Sequence, residues 1–140
     1  MAFLLSKRSL KRLVGVHPKL AFAVYEAIKE TKVDFGVIEG VRTMSKQKKL
    51  VNQGRSKTLK SYHLNGLAVD LVPYIDGNYR WDNIEAFKEI NKAMKTVIEK
   101  YNLKIDWGYD IWKWDMPHYQ MTGMRSKYDI RKIDPNRFPG

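Results

Sequence analysis

Residues 68–72, Ala-Val-Asp-Leu-Val, put an acidic side chain in the middle of an apolar run whose chemistry is that of a β-strand. On a strand, Asp70 shares a face with Ala68 and Val72, while Leu67, Val69 and Leu71 face the other way. A carboxylate among small and branched apolar neighbours is costly to bury unless a positive group meets it. Just upstream lies Ser61-Tyr-His63-Leu-Asn65-Gly66, in which Asn-Gly is a turn signal. The segment therefore reads as a loop carrying His63 that reverses at Gly66 into a strand carrying Asp70. A fold that buries this strand must bring a cation or cationic side chain to Asp70.

The candidates for a partner are few. The chain has no cysteine, which excludes disulfides and thiolate metal sites. Any transition-metal site must use carboxylates and some of His17, His63 and His118. His17 precedes a proline that opens a helix, so it reads as part of the helix entry and not as a ligand. His118 follows Asp115-Met-Pro, where Pro117 argues against a helix interior. Asp115 then sits at a loop end, and His118 begins the strand His-Tyr-Gln-Met. Such a geometry lets His118 bind metal while Asp115 contacts a metal-bound water without ligating. Two imidazoles and one carboxylate, with a position left open, form a usual catalytic zinc set, and zinc lowers the pKa of its water to about 7. A neighbouring carboxylate can take that proton and return it to a leaving amine.

The surrounding pattern predicts an α+β fold, with a small antiparallel or mixed sheet flanked by helices. Residues 6–14 read as a short basic helix, and residues 18–31 as a second with Leu20, Val24, Ala27 and Ile28 at helical spacing. Strands are predicted at 33–39, 67–74, 104–107 and 118–121, and Asp76-Gly77 is a hairpin turn into 79–81. Ser45 is expected to cap a short helix ending before Gly54. Asp82 with Glu85 suggests a capping box for a long helix reaching about residue 102. Trp107 and Trp112 are expected in the core.

These residues resemble a family of zinc peptidases. Ser61-x-His63-x(6)-Asp70 followed by Asp115-x-x-His118 is similar to a group comprising D-alanyl-D-alanine dipeptidases of vancomycin resistance, related carboxypeptidases and phage L-alanyl-D-glutamate peptidases. Glu39-Gly-Val-Arg42-Thr with Gln47, the run Gly54–Thr58, and Trp107-Gly108 before Asp115-Met-Pro-His118-Tyr-Gln120 fit the same pattern. The likeness runs from about Val16 to Gln120. Within the group the chain looks most like the phage endolysins: it is short, has no evident wall-binding module, and carries Asp115 where the dipeptidases have Glu. The resemblance implies a Hedgehog/D,D-peptidase-like fold and one catalytic domain over residues 1–140 with a basic tail from about 124. It implies Zn2+ as cofactor, held by His63, Asp70 and His118, with Asp115 as acid/base. Arg42 would stabilise the oxyanion and, with Gln47 and Ser61, help hold substrate. The substrate would be peptidoglycan, cut between L-alanine and D-glutamate. One departure stands out: Trp107-Gly-Tyr-Asp-Ile-Trp112-Lys-Trp114 replaces a run that often has a second glycine and Asp-Trp, so the rim of the cleft should differ.

The formal net charge of +11 favours polyanionic partners, including an anionic wall polymer or an outer-membrane surface that the basic tail could touch. Rival readings are a D-alanyl-D-alanine dipeptidase or carboxypeptidase, a basic polyanion-binding domain without activity, and an inactive wall-binding relative. No nucleic-acid partner is expected, since the basic residues spread over both ends and no binding signature appears. A monomer is expected. The start, MAFLLSKRSLKRL, has the wrong order for a secretory signal, so synthesis in a host cytoplasm and action at the cell wall after release are expected.

Overall fold

A computed structural model describes residues 2–56 and 61–123. The expectations for Lys57, Thr58 and the basic tail lie outside the described residues. Among the described residues eleven elements follow in order. They are α1 (Lys7–Arg12), α2 (Pro18–Glu30), β1 (Phe35–Glu39), α3 (Met44–Asn52), a 3-10 turn (Tyr62–Asn65), β2 (Ala68–Ile75), β3 (Asn78–Tyr79), α4 (Ile84–Lys100), β4 (Ile105–Trp107), α5 (Gly108–Trp112) and β5 (His118–Met121). The main sheet runs β1-β2-β5-β4, β3 pairs with β2, and every pairing is antiparallel. Helices and sheet give the expected α+β class, with the antiparallel alternative realised. Among the described residues no helix is long and apolar enough to cross a membrane.

The alternation read from the sequence decides which side of the sheet becomes core. Leu67, Val69 and Leu71 join Leu20, Val24 and Ile28 of α2 and Ile90, Met94 and Val97 of α4 in one buried cluster. Burying each such side chain contributes roughly 1.5–3 kcal/mol, so α2 and α4 are held on this face by many small additions. The opposite face is left to Ala68, Asp70 and Val72. On the sheet edge, α1 closes the outer side of β1: Ser9 Oγ accepts from the Val37 N–H at 2.9 Å, and Arg12 donates to the Val37 carbonyl at 2.9 Å. A strand edge with its polar groups taken up in this way does not invite further pairing.

Several local expectations shift by one or two residues. Thr43, not Ser45, caps α3, because its hydroxyl accepts from the Lys46 N–H at 3.1 Å. Asn83, not Asp82, caps α4 through the Ala86 N–H. The hairpin turn is as read, with Asp76 and Gly77 both at positive φ (52° and 78°). Helix α5, whose five residues are too few to carry a period, was not expected, and Trp112 at its end is 44% exposed and not core. Trp107 is buried as expected.

Gly66 fixes the turn that delivers His63. Its φ is +70°, and an added Cβ would lie 2.3 Å from the Gly15 carbonyl oxygen, while its own carbonyl accepts from the His17 N–H at 2.7 Å. Both the left-handed conformation and the close approach exclude a side chain. Gly66→Ala is expected to lower stability by about 2 kcal/mol or more, read as a reduced midpoint in urea with an unchanged slope. A midpoint equal to that of the parent would show that this turn does not depend on glycine.

Candidate metal centre and its cleft

The sheet register assembles the site. Glu39 on β1 pairs with Asp70 on β2, and Asp70 pairs with His118 on β5, so the three occupy one cross-strand row. His63 arrives from the 3-10 turn, whose first N–H groups are gathered by Ser61: its hydroxyl accepts from the His63 N–H at 3.2 Å. The His63 carbonyl in turn accepts from the Arg42 N–H at 2.9 Å, tying this turn to the segment after β1. Asp70 Oδ2 lies 3.4 Å from His63 Nε2, and its Oδ1 lies 3.3 Å from His118 Nδ1. One donor atom from each of these three residues can be chosen so that all lie within 4.8 Å of one another.

The outward nitrogen of each imidazole is already committed. His63 Nδ1 is 2.9 Å from the Gly40 carbonyl, which can only accept, so that nitrogen carries the proton. His118 Nε2 is 2.8 Å from Gln120 Oε1 and donates to it. Each ring therefore turns its other nitrogen toward Asp70. In the neutral state those nitrogens offer lone pairs to a carboxylate, which is repulsive. The contact becomes favourable when the rings are protonated or when a cation lies among the three groups. A metal-ligating histidine with its second N–H held by a carbonyl or amide oxygen is the usual outer support of such sites, so the donor set fits a divalent cation.

The electrostatics separate two acids. Burial alone would raise the Asp70 pKa, but hydrogen bonding to His118 and His63 and their charge outweigh it and hold Asp70 well below the usual carboxylate range. For His118, burial favours the neutral ring, but Asp70, Gln120 and the charge of Asp115 reverse this and hold its pKa above 6.5. Asp115 goes the other way. Burial, the largest influence, raises its pKa above 3.8, with Asp70 adding to the rise and the two histidines opposing it. Among the described residues its carboxylate has no hydrogen-bond or ion-pair partner.

Asp115 sits on the loop between α5 and β5, which is pinned at several points. Trp107 Nε1 donates to the Met116 carbonyl at 2.6 Å, and the Leu71 N–H donates to the Pro117 carbonyl at 2.9 Å. Gly108 lies directly beneath: a Cβ there would be 2.5 Å from the Asp115 carbonyl oxygen and 2.9 Å from His118 Cβ. The absent side chain lets Asp115 and His118 settle against the start of α5.

On the other side stands Arg42. Its Nε donates to Glu39 at 2.8 Å, and one terminal nitrogen reaches Gln47 Oε1 at 2.8 Å and Ser61 Oγ at 3.5 Å. Arg42 and Ser61 line the cleft. Gln47 does not. The expectation that Gln47 holds substrate meets a side chain with no exposure, its amide spent on Arg42 and on Ser56 at 2.9 Å. Its position is behind Arg42. Glu39 also pairs with Lys46 at 2.8 Å; burial would raise its pKa, but the two cations lower it.

His63, Asp70, Asp115, His118, Arg42 and Ser61 open into one cleft of about 840 Å³, whose walls also include Arg55, Trp81, Trp112 and Trp114. Of the residues expected at the site, His63, Asp70, Asp115, His118, Arg42 and Ser61 all come together at this cleft. The roles of Gln120 and the Gly40 carbonyl were not expected. Gln120 was findable, since two residues along a strand is the same face as His118. A backbone carbonyl carries no sequence signal.

The chain is similar to several known proteins. A family model described as phage L-alanyl-D-glutamate peptidase matches residues 1–134. The chain is 32% identical over 113 residues to the L-alanyl-D-glutamate peptidase of Escherichia phage T5, covering 79% of this chain and 82% of that one. It is 36% identical over 88 residues to the protein of the same name from Listeria phage A118, spanning 61% of this chain and 30% of that longer relative. Among solved structures, the Serratia marcescens L-Ala D-Glu endopeptidase ChiX is similar with a TM-score of 0.77 and 36% identity, over 83% of this chain and 87% of that one.

If Gln120 fixes the tautomer of His118, then Gln120→Leu should weaken binding of a divalent cation by about 10–100-fold, measured by calorimetric titration, while thermal stability of the cation-free protein changes little. Undiminished affinity would mean that His118 is oriented by the strand alone.

Proposed function

The chain belongs to the phage L-alanyl-D-glutamate peptidase family, and from that membership and the cleft we propose that it hydrolyses the L-alanyl–D-glutamate bond of peptidoglycan stem peptides as a zinc enzyme acting at the bacterial cell wall. The observation that carries the zinc assignment is the convergence of His63, Asp70 and His118, with both outer imidazole nitrogens already bound to acceptors. These three residues would hold Zn2+, and residues 1–140 would form one catalytic domain, active as a monomer. When bound, the cation supplies Lewis acidity, which makes water a competent nucleophile near neutral pH.

The chain's own residues do the rest. Asp115, beside the ligands but not among them, accepts the proton of the attacking water as its oxygen bonds to the alanyl carbonyl carbon. Its pKa, raised by burial, favours a group that holds that proton and then delivers it to the departing glutamyl nitrogen. The C–N bond breaks, leaving an alanyl carboxylate and a glutamyl amine. Arg42 presents a guanidinium to the oxygen that becomes negative, and Glu39 and Gln47 keep it from swinging away. Ser61 stands at the cleft wall within reach of the same guanidinium and can meet the peptide backbone. The net charge of +11 draws the enzyme toward a wall polymer rich in carboxylates, an attraction that salt weakens.

Two measurements test this. Digestion of purified muropeptides should release a new glutamyl amine and no free D-alanine, and a chelator should abolish it until zinc is restored. Free D-alanine would instead mark a carboxypeptidase or dipeptidase. Asp115→Asn should lower kcat by about 10²–10⁴-fold with zinc content retained, and Arg42→Ala by roughly 10²–10³-fold. An Asp115→Asn protein that kept full activity would remove Asp115 from the proton transfer.

A further inference from the structure

The cleft is chemically two-sided. Beside His63, whose backbone N–H donates to Ser61 Oγ at 3.2 Å, stands a cationic and hydroxyl-bearing wall of Ser61 and Arg42, and Arg55 lines the same cleft. Against His118 and Asp115 stand indoles: the Trp112 ring lies 5.4 Å from that of His118, and Trp114 lies 6.4 Å from Trp112. The exposure of these indoles is high, 44% for Trp112 and 72% for Trp114, and Trp81 on the same cleft is 58% exposed. Trp107, by contrast, is 6% exposed and serves the core. Leaving large apolar rings in water forgoes the gain from burial, and three of them around one cleft mark a contact surface.

Resting on the reading above, we propose that Trp112, Trp114 and Trp81 form a subsite for the muramyl sugar ring of the glycan strand, so that the enzyme prefers stem peptides still attached to glycan. In peptidoglycan the alanine of the scissile bond is joined through a lactyl group to that sugar, so a pyranose lies one residue from the reacting carbonyl. On the other side of the bond come D-glutamate and the free carboxylates of the remaining stem. Charge complementarity assigns the carboxylates to the wall of Arg42 and Arg55. The uncharged faces of the pyranose, lined with C–H bonds, fall to the indoles, whose flat apolar surfaces match them. The cleft has room for both: its 840 Å³ is near the top of the range of about 300–1,000 Å³ for pockets that enclose a whole drug-sized ligand.

The test compares kcat/KM for two substrates, the free stem tripeptide and the same tripeptide on N-acetylmuramic acid, using the full chain loaded with zinc. The parent protein should favour the sugar-bearing substrate by about tenfold, the scale of one or two aromatic stacking contacts. In Trp114→Ala and in Trp81→Ala that ratio should fall toward one, and Trp114→Phe, which keeps a flat ring, should restore most of it. Trp114 and Trp81 are exposed, so these variants leave the core intact. A parent ratio near one overturns the subsite, as does a ratio that neither alanine variant changes. Failure of the parent to cut either substrate would instead overturn the proposed activity, so the two readings fail separately.

Discussion

A carboxylate held between two imidazoles on the central strands is the interaction on which the rest of this molecule turns. Asp70 lies on a strand flanked on both sides by others, with apolar residues before and after it. Its charge is tolerable only because His63 and His118 reach it from a turn and from the next strand. One of those positions is set locally, by the reversal at Gly66, and the other by the register that places the distant His118 opposite Asp70. The core side of the sheet supplies the rigidity: α2 and α4 pack on Leu67, Val69 and Leu71, so the other face can carry polar groups without moving. The sheet is thus a partition between a cohesive layer and a chemical one.

The same arrangement makes protons and a metal ion rivals for one place. With both outer nitrogens engaged, the inner nitrogens can satisfy Asp70 only by carrying protons or by sharing a cation with it. The raised pKa of His118 is the proton's version of that solution. A divalent cation is the stronger version, because it answers all three donors at once and releases the proton that His118 would hold. Asp115 escapes this competition. It is near enough to feel Asp70 but has no partner among the described residues, so burial lifts its pKa while that of Asp70 falls. Environments that push two acids in opposite directions are what assign one to binding and the other to proton transfer.

Much of this was legible in the residues. The metal trio, the neighbouring acid and the strand that carries Asp70 follow from residue type, from a turn dipeptide and from alternation, all of which are local. So do α2 and α4, whose apolar periods are long. What escaped depends on register or on backbone. That Asp70 and His118 would meet is read from the sequence, but that they do so as directly paired residues of neighbouring strands is a fact of register that neither segment reveals alone. Asn83 caps α4 in place of Asp82 because two adjacent residues of similar capping strength leave the exact start open until the helix is packed. Gln47 reads as a polar helix residue suited to substrate, yet packing turns it inward to brace Arg42. Trp112 reads as core because tryptophan usually is, and only the five-residue helix before the loop swings it to the cleft.

How close Asp115 comes to the ligands is a matter of backbone, because aspartate has a single methylene with which to reach. The loop must therefore bring its main chain in, and the absence of a side chain at Gly108 is what lets it. With a Cβ at 2.5 Å from the Asp115 carbonyl oxygen and 2.9 Å from His118 Cβ, the loop would have to lift away from α5, taking both the acid and a ligand with it. The Trp107 indole and the Leu71 N–H then hold the loop down by its Met116 and Pro117 carbonyls. Proton transfer tolerates little displacement, and an error of about 1 Å can cost a hundredfold in rate. The acid's own conformational freedom is small for the same reason that its reach is: a short side chain leaves the strand and loop to do the positioning. The rim beyond it is built of exposed indoles, which take no part in this positioning.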